Sequence, residues 1–199
     1  MCEAALNNLA WLYAEKLNEL DKAYDLARKA RALEPGAAPI AHTLGWILYK
    51  RADYAQALDL LRGSAAKLGD SPEVQLHLGM ALYMMGQMDA ARTALRRAVD
   101  ASSQFPGKPD ALSRLALLGN GSADPVTPPI EELQSILKQQ PDDVIARLLL
   151  GDAYQRQGKF ADAAQAYNEA VKINHQLLPA FTRLQKLYAG PLDNTEKSG

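Results

Sequence analysis

The sequence predicts an all-α solenoid of stacked helix pairs. A leucine followed by a small residue returns in steps of 35, 34, 37 and 35 residues, and a last leucine follows after 34. A repeat of this length is typical of helical hairpins that bury their apolar faces on one another. Apolar residues also recur with helical spacing, and strand-like alternation is nearly absent. The pairs are Leu9 with Ala10, Leu44 with Gly45, Leu78 with Gly79, Leu115 with Ala116 and Leu150 with Gly151, followed by Leu184 without a small partner.

The first three repeats are predicted over residues 3–37, 38–71 and 72–105. In the second repeat, a tight turn at residues 51–53 joins two antiparallel helices. The first repeat carries one extra residue in its turn, near Asn18. Glycine within a helix costs roughly 1 kcal/mol relative to alanine, so glycines that return once per repeat predict close helix contacts. These glycines are Gly45, Gly79 and Gly151.

The fourth repeat, residues 109–143, is predicted to be degenerate. Its first helix stops early at Gly119, and residues 119–127 form a loop rich in Gly, Pro, Ser and Asp. A second helix then begins after Pro128 and Pro129 and ends before Pro141. The remaining predicted parts are a fifth repeat over residues 144–177, a closing helix over 178–189 and a flexible tail over 190–199.

On these motifs the chain resembles the tetratricopeptide repeat family. One copy of the family pattern is matched in order by Leu150, Gly151, Tyr154, Gly158, Ala163, Tyr167 and Ala170. Another copy is matched by Leu9, Ala10, Tyr13, Ala23, Ala27, Ala30 and Pro35, and a third by Leu78, Gly79, Leu82, Gly86, Ala91, Leu95 and Ala98. The resemblance extends over residues 3 to about 189. It implies a right-handed superhelix that binds a protein or peptide in its concave groove.

The segments NNLAWLYAE and HTLGWILYK are also similar to segments of tetratricopeptide repeat proteins of the bacterial cell envelope, including lipoproteins and proteins of exopolysaccharide or protein-sorting systems. The chain contains no apolar run of the ~20 residues that a transmembrane helix needs. It also shows no signal-peptide pattern at its first residues. We therefore expect a soluble protein of the bacterial cytoplasm, or of the periplasm or envelope if a targeting segment has been removed.

Composition argues against several classes of function. The formal net charge is -1, so bulk charge offers no nucleic-acid surface. A single cysteine, Cys2, excludes an internal disulfide and a cysteine-based metal cluster. No phosphate-binding glycine loop and no nucleophile with an evident base are present. His42 and His77 could lie on adjacent helices, but without a cysteine and with Glu73 as the only well-placed carboxylate we predict no metal site. We expect no enzyme and no cofactor.

The predicted groove is lined by the first helix of each repeat. The position two residues after each repeated leucine lies about 200° around the helix, away from the hairpin core. Large apolar residues recur there and one turn further on, as recognition of an apolar segment would require. The alternative is that these side chains pack on one another without any ligand. The residues are Trp11, Trp46, Tyr49, Met80 and Tyr83.

Polar groove positions lie just before the repeated leucines, at Asn8, Thr43, His77, Arg114 and Arg183, and one place earlier at Asn7 and His42. The resemblance implies that such side chains hydrogen-bond the backbone of an extended peptide. Arg156 extends a charged stretch that could pair with an acidic partner, or could simply be solvated. The chaperone-binding carboxylate clamp of the family is absent, because Trp11, Thr43 and Glu73 stand where the clamp needs basic or amide side chains.

From these observations we predict a non-catalytic scaffold that binds a peptide or helix of a partner protein in the concave groove. The alternative prediction is a structural unit that self-assembles by stacking through its uncapped ends.

Overall fold

The computed structural model describes residues 2–101, 104–119, 121 and 128–191. Within these ranges the chain forms α-helices, one π-helical segment and turns, with no strand. The predicted all-α fold class is confirmed. The helices are α1 (Glu3–Leu12), α2 (Leu20–Leu33), α3 (Ala38–Lys50), α4 (Tyr54–Ala65), α5 (Pro72–Met84), α6 (Met88–Ala101), α7 (Lys108–Leu118), α8 (Ile130–Gln139), α9 (Val144–Arg156), α10 (Phe160–Ile173) and α11 (Leu178–Tyr188).

Consecutive helices pack as pairs, with α1 on α2, α3 on α4 and α9 on α10. The short turns inside the repeats use a residue with a left-handed backbone. These residues are Asn18 (φ 53°), Ala52 (φ 63°), Gly86 (φ 69°) and Gly158 (φ 73°). Three of them stand eight residues after the repeated leucine, and Asn18 stands nine after Leu9.

The extra residue of the first repeat lies in a π-helical segment, Tyr13–Leu17, that continues α1. A π-helical turn holds one more residue than an α-helical turn, so the insertion is accommodated without breaking the helix. The segment ends at Asn18, whose left-handed conformation closes it. The extra residue that was predicted for the turn near Asn18 therefore lies in the helix before the turn, as a π-bulge.

The three repeat glycines lie at close helix contacts, as predicted. A Cβ on Gly45 would stand 2.9 Å from Leu61 Cγ of α4. A Cβ on Gly79 would stand 2.7 Å from Leu95 of α6, and one on Gly151 would overlap the ring of Tyr167 of α10. Each glycine thus allows the side chain of the paired helix to approach the backbone.

The degenerate fourth repeat has a short α7 that ends at Leu118, followed by Gly119 with φ 63°. Helix α8 begins after Pro129 and ends before Pro141, and α11 occupies the place of the predicted closing helix. Most of the predicted loop over 119–127, namely residue 120 and residues 122–127, lies outside the described residues, as do residues 192–199 of the predicted tail.

The described residues divide into two compact units. Unit 1 contains the residues up to Leu82 together with Ala90–Ser113, and unit 2 contains Tyr83–Asp89 together with the residues from Arg114 onward. The core of unit 1 includes Leu6, Ala30 and Ile40, and that of unit 2 includes Leu133 and Leu150. No described helix combines the length and apolarity needed to cross a membrane.

Candidate functional site

Unit 1 holds a continuous stack of aromatic rings on the first helices of its three repeats. The Trp46 ring lies parallel on the His77 ring with centroids 3.7 Å apart, and on Tyr49 at 4.8 Å. His77 in turn stacks on His42 at 4.9 Å, and Trp11 lies 6.0 Å from both imidazoles. Helices α1, α3 and α5 each contribute to this aromatic stack, which we define as Trp11, His42, Trp46, Tyr49 and His77.

The two imidazoles at the centre of the stack are buried and hydrogen-bonded to each other. His42 Nε2 lies 2.9 Å from His77 Nδ1, so one of the two nitrogens donates and the other accepts. This bond requires at least one ring to be neutral. Burial lowers the pKa of His42 to about 4. Burial, with added repulsion from His42 and Lys50, also lowers the pKa of His77 well below its usual value. Both rings are therefore neutral at pH 7.

The sequence left open whether the tryptophans pack on neighbouring side chains or remain accessible to a ligand, and in the structure they do both. Both pack on the buried histidines, and both remain half-buried. Trp46 Nε1 donates to Glu15 Oε1 at 2.8 Å, and Glu15 also pairs with Lys50. The indole of Trp46 is thus held in place while part of its surface stays accessible.

A pocket of about 530 Å³ opens beside the aromatic stack. Its apolar wall comes from both tryptophans, from α5 and from the segment 105–107 that precedes α7. Gly107 of that segment lies so close to Leu76 that a side chain on it would overlap the leucine. We call this cavity the aromatic pocket, and its lining residues are Trp11, Glu15, Trp46, Ser71, Pro72, Glu73, Leu76, His77, Met80, Phe105, Pro106, Gly107 and Asp110.

The titratable groups on the wall of the aromatic pocket, apart from neutral His77, are carboxylates. Glu15, Glu73 and Asp110 line it, and no lysine or arginine is among its lining residues. Burial, and then repulsion from Glu15, raises the pKa of Glu73. The pocket therefore presents apolar and aromatic surface next to negative charge.

The prediction that Tyr83 lines a groove is wrong. Its side chain is completely buried in unit 2, and its hydroxyl donates to both oxygens of Asp143 at 2.8 and 3.0 Å. Arg114 also binds the buried Asp143 carboxylate and lies over the Tyr83 ring. The same carboxylate caps α9 by accepting from the Ala146 N–H at 2.9 Å. Tyr83 and Arg114 serve a buried polar network here.

Arg183 belongs to a second network of the same composition. Its Nε and Nη2 donate to the two oxygens of Asp152 at 2.7 and 2.9 Å, and the Tyr167 hydroxyl donates to the same carboxylate at 2.7 Å. Such a bidentate pair is geometrically specific and strong. Of the basic residues predicted for the groove, Arg156 is the one whose side chain is exposed.

The remaining predicted positions differ in accessibility. Thr43 is buried and its hydroxyl donates to the Pro39 carbonyl at 3.1 Å, so it is not available to a partner. Asn8 is exposed, Met80 is half-buried in the pocket wall, and Asn7 is half-buried with its Oδ1 buried and without a hydrogen bond. Among the described residues, no group of three or more His, Cys, Asp or Glu side chains could hold a metal ion.

Sequence reasoning missed the part of the pocket that follows α6. Phe105, Pro106 and Asp110 line it, and none was singled out. The available signal was the 37-residue step between Leu78 and Leu115, three residues longer than the step before it. The connection after α6 lies in this longer step and brings the Phe105 ring to the pocket, and Asp110 follows in the first turn of α7.

Two family models, both described as tetratricopeptide repeat, match the chain over residues 48–104 and 130–176. Together they cover slightly more than half of it. No curated protein sequence matches the chain significantly.

Several solved structures share the fold. YrrB, described as a tetratricopeptide repeat protein with an unusual peptide-binding site, is 20% identical over 89% of both chains with a TM-score of 0.51. The tetratricopeptide domain of P58(IPK) is 18% identical with a TM-score of 0.59, and 98% of this chain covers 56% of that one. Pseudomonas aeruginosa pilF is 18% identical over 98% of this chain and 96% of its own, with a TM-score of 0.51.

The two family models, the helix pairs and these structural similarities agree with the repeat pattern of the sequence. The chain belongs to the tetratricopeptide repeat family, whose members are in general non-catalytic protein-interaction modules.

Proposed function

We propose that the protein is a non-catalytic scaffold that binds a segment of a partner protein at the aromatic pocket of unit 1. One observation carries the proposal: Trp11 and Trp46 are half-buried on the wall of a concave pocket, and their packing on the histidines leaves aromatic surface uncovered. Tryptophan is enriched among the residues that dominate binding energy at protein interfaces.

The pocket is preorganised for binding. Trp46 is stacked on His77 and hydrogen-bonded to Glu15, so little side-chain freedom is left to lose when a partner arrives. Met80 and Leu76 add apolar surface, and the thioether of Met80 can adapt its shape to a ligand. The peptide-binding site reported for YrrB is consistent with recognition of this kind within the same fold.

The proposal is tested with a displayed library of random linear peptides selected on the wild-type protein. We expect Trp46→Ala to weaken an enriched peptide by about 30-fold, equivalent to about 2 kcal/mol, in fluorescence anisotropy. The matched control is Phe181→Ala, which removes an exposed aromatic residue of unit 2 and should leave the affinity unchanged. Equal affinity of the wild type and Trp46→Ala, or loss of affinity in Phe181→Ala alone, would contradict the proposal.

Self-assembly is a second candidate function, favoured by the outer surface of α11. Leu178, Phe181 and Tyr188 on this helix are 73%, 43% and 55% exposed. Apolar side chains exposed along one helix are typical of a surface that contacts another molecule. If this function is correct, the wild type will grow in size with concentration in size-exclusion chromatography, and Phe181→Glu will stay monomeric. A concentration-independent monomer would rule it out.

A further inference from the structure

We propose that the aromatic pocket recognises a lysine or arginine side chain of the partner segment. The aliphatic stem of this side chain would lie against Leu76 and Met80, and its cationic group beside Glu73 and Asp110. The inference rests on the proposed function, since it names the chemistry that the same pocket selects.

The charge of the pocket favours a basic side chain as its ligand. Three of its lining residues are acidic and none is basic. Glu15 is engaged by Lys50 and by Trp46, whereas no ion pair within the described part of the chain involves Glu73 or Asp110. An acidic or purely apolar side chain would bring these two carboxylates no compensation for the water that it displaces.

Glu73 is the better anchor of the two. The residue is exposed as a whole, but partial burial of its carboxylate and the charge of Glu15 both disfavour ionisation, so its pKa is raised. A cation placed beside it would offset both effects at once, because an opposite charge within a few ångströms favours the ionised form. Binding should therefore lower the pKa of Glu73.

The chain already shows the same chemistry within this site. Lys50 places its ammonium 5.8 Å from the centroid of the Trp46 ring while its Nζ pairs with Glu15. An indole face and a carboxylate together hold a cation more strongly than either does alone, since cation–π attraction adds to the ion pair. Trp11, Glu73 and Asp110, which also line the pocket, supply groups of the same chemical kinds to a partner cation.

Apolar surface continues next to the pocket. A second cavity of about 660 Å³ shares Phe105 and Pro106 with the aromatic pocket and is completed by Pro109 and the half-exposed Leu112, with Gln104 and Lys108 as its polar lining. A segment that inserts a cation into the aromatic pocket could place an apolar neighbour on this surface. The expected recognition motif is thus a basic residue next to an apolar one.

The test is the peptide selection carried out on four proteins: the wild type, Glu73→Gln, Trp46→Ala and the control Glu131→Gln. Glu131 is an exposed carboxylate of α8 in unit 2. We expect the wild type and the control to enrich peptides with a basic residue beside an apolar one, and Glu73→Gln to lose this preference. Enrichment of acidic or uncharged peptides by the wild type would overturn the inference and leave the proposed function standing. Failure to enrich any peptide relative to Trp46→Ala would overturn both.

The charge itself is tested with one enriched peptide in two forms, with the basic residue as arginine or as citrulline, which has nearly the same shape and no charge. We expect the wild type to prefer the arginine peptide by at least about tenfold, and high salt to narrow the difference. Glu73→Gln should reduce this preference, with Asp110→Asn as a second variant. Equal affinity for the two peptides would contradict the inference even if both bind tightly.

Discussion

The two units fill equivalent positions of the repeat with different chemistry. In unit 1 the residue before the repeated leucine of α5 is His77, a neutral ring that stacks on Trp46 and hydrogen-bonds another neutral ring. In unit 2 the same position holds Arg114 and Arg183, each bound to a carboxylate that also accepts from a tyrosine hydroxyl. The same helical scaffold therefore supports a neutral aromatic cluster in one unit and two charged networks in the other.

This difference separates recognition from stability. The Tyr–Asp–Arg networks of unit 2 satisfy their own charges, so those side chains have little to gain from a ligand. The aromatic stack of unit 1 buries its two imidazoles but leaves indole surface and two carboxylates at an open pocket. Equivalent positions in a repeat protein thus need not share a role, and the partners that each side chain already has decide which of them can bind.

The largest effect should come from the unit 2 network. Asp143→Ala removes a fully buried carboxylate that accepts hydrogen bonds from Tyr83, Arg114 and the first turn of α9. Breaking such a buried pair should lower the free energy of unfolding by about 3 to 5 kcal/mol. Urea unfolding followed by circular dichroism measures it. Asp152→Ala, in the partly exposed network, is the matched comparison and should cost less. A loss below about 1 kcal/mol for Asp143→Ala would contradict the structural role.

The histidine pair should make unit 1 sensitive to acid. His42 has a folded-state pKa of about 4 and an unfolded value near 6.5, so the unfolded state binds more protons between these values. Stability from this group is complete above pH 6.5 and falls as the pH approaches 4, by on the order of 3 kcal/mol.

Tryptophan fluorescence reports this loss selectively, because both tryptophans lie in unit 1. The wild type is compared with the double variant His42→Gln/His77→Gln. Both proteins keep Glu73, whose raised pKa changes the free energy of unfolding with pH in the opposite direction and so contributes equally to the two profiles. We expect the urea concentration at the unfolding midpoint to fall more steeply with decreasing pH in the wild type than in the double variant. Parallel pH profiles would show that the pair does not titrate as described.

The repeat glycines test the close packing that both units share. Replacement by leucine at Gly45, Gly79 or Gly151 should cost roughly 1 to 3 kcal/mol, because each side chain would overlap the paired helix. Gly63 is the control: it lies within α4 with no atom near the place of a Cβ, so Gly63→Leu should stabilise by up to about 1 kcal/mol. Thermal melts that rise for all three repeat variants would refute the assignment.

The smallest effect concerns the turns. Ala52 in unit 1 and Gly158 in unit 2 stand at the same turn position with φ of 63° and 73°. A Cβ is unfavourable in this conformation. Ala52→Gly should therefore stabilise, and Gly158→Ala should destabilise, each by about 0.5 to 1 kcal/mol. Changes of the same sign in thermal melts of the two variants would argue against a shared backbone geometry.

Periodic features were predictable from the sequence. Gly45, Gly79 and Gly151 return at the repeat length. The extra residue of the first repeat was also visible in the sequence, but its place in a π-bulge of the helix was not. The fate of Tyr83 was not predictable, because its partner Asp143 is 60 residues away in the chain and nothing in its own repeat indicates a buried carboxylate. Contacts inside a repeat follow from periodicity, whereas those between distant residues depend on tertiary packing.

The aromatic pocket, too, was only partly predictable, because it depends on contacts between residues that are distant in the chain. Trp11 and Trp46 were identified from their place in the repeat, and they do line the pocket. The ring contacts that keep them half-buried involve His42 and His77 on neighbouring helices, which the sequence predicted as polar groove positions. Phe105 lies outside the periodic pattern, so nothing in the sequence predicted that it lines the same pocket as the tryptophans.

The measurement that tests the central claim most directly is an NMR titration of the ¹⁵N-labelled protein with a peptide enriched in the selection. Unit 1 is reported by the Nε1–H of Trp46, which donates to Glu15, and unit 2 by the Nε–H of Arg183, which donates to Asp152. We predict that the two indole resonances shift and saturate together with the affinity measured by anisotropy, while the Arg183 resonance stays in place. A saturable shift of Arg183 with unmoved indole resonances would contradict the account and place recognition in unit 2.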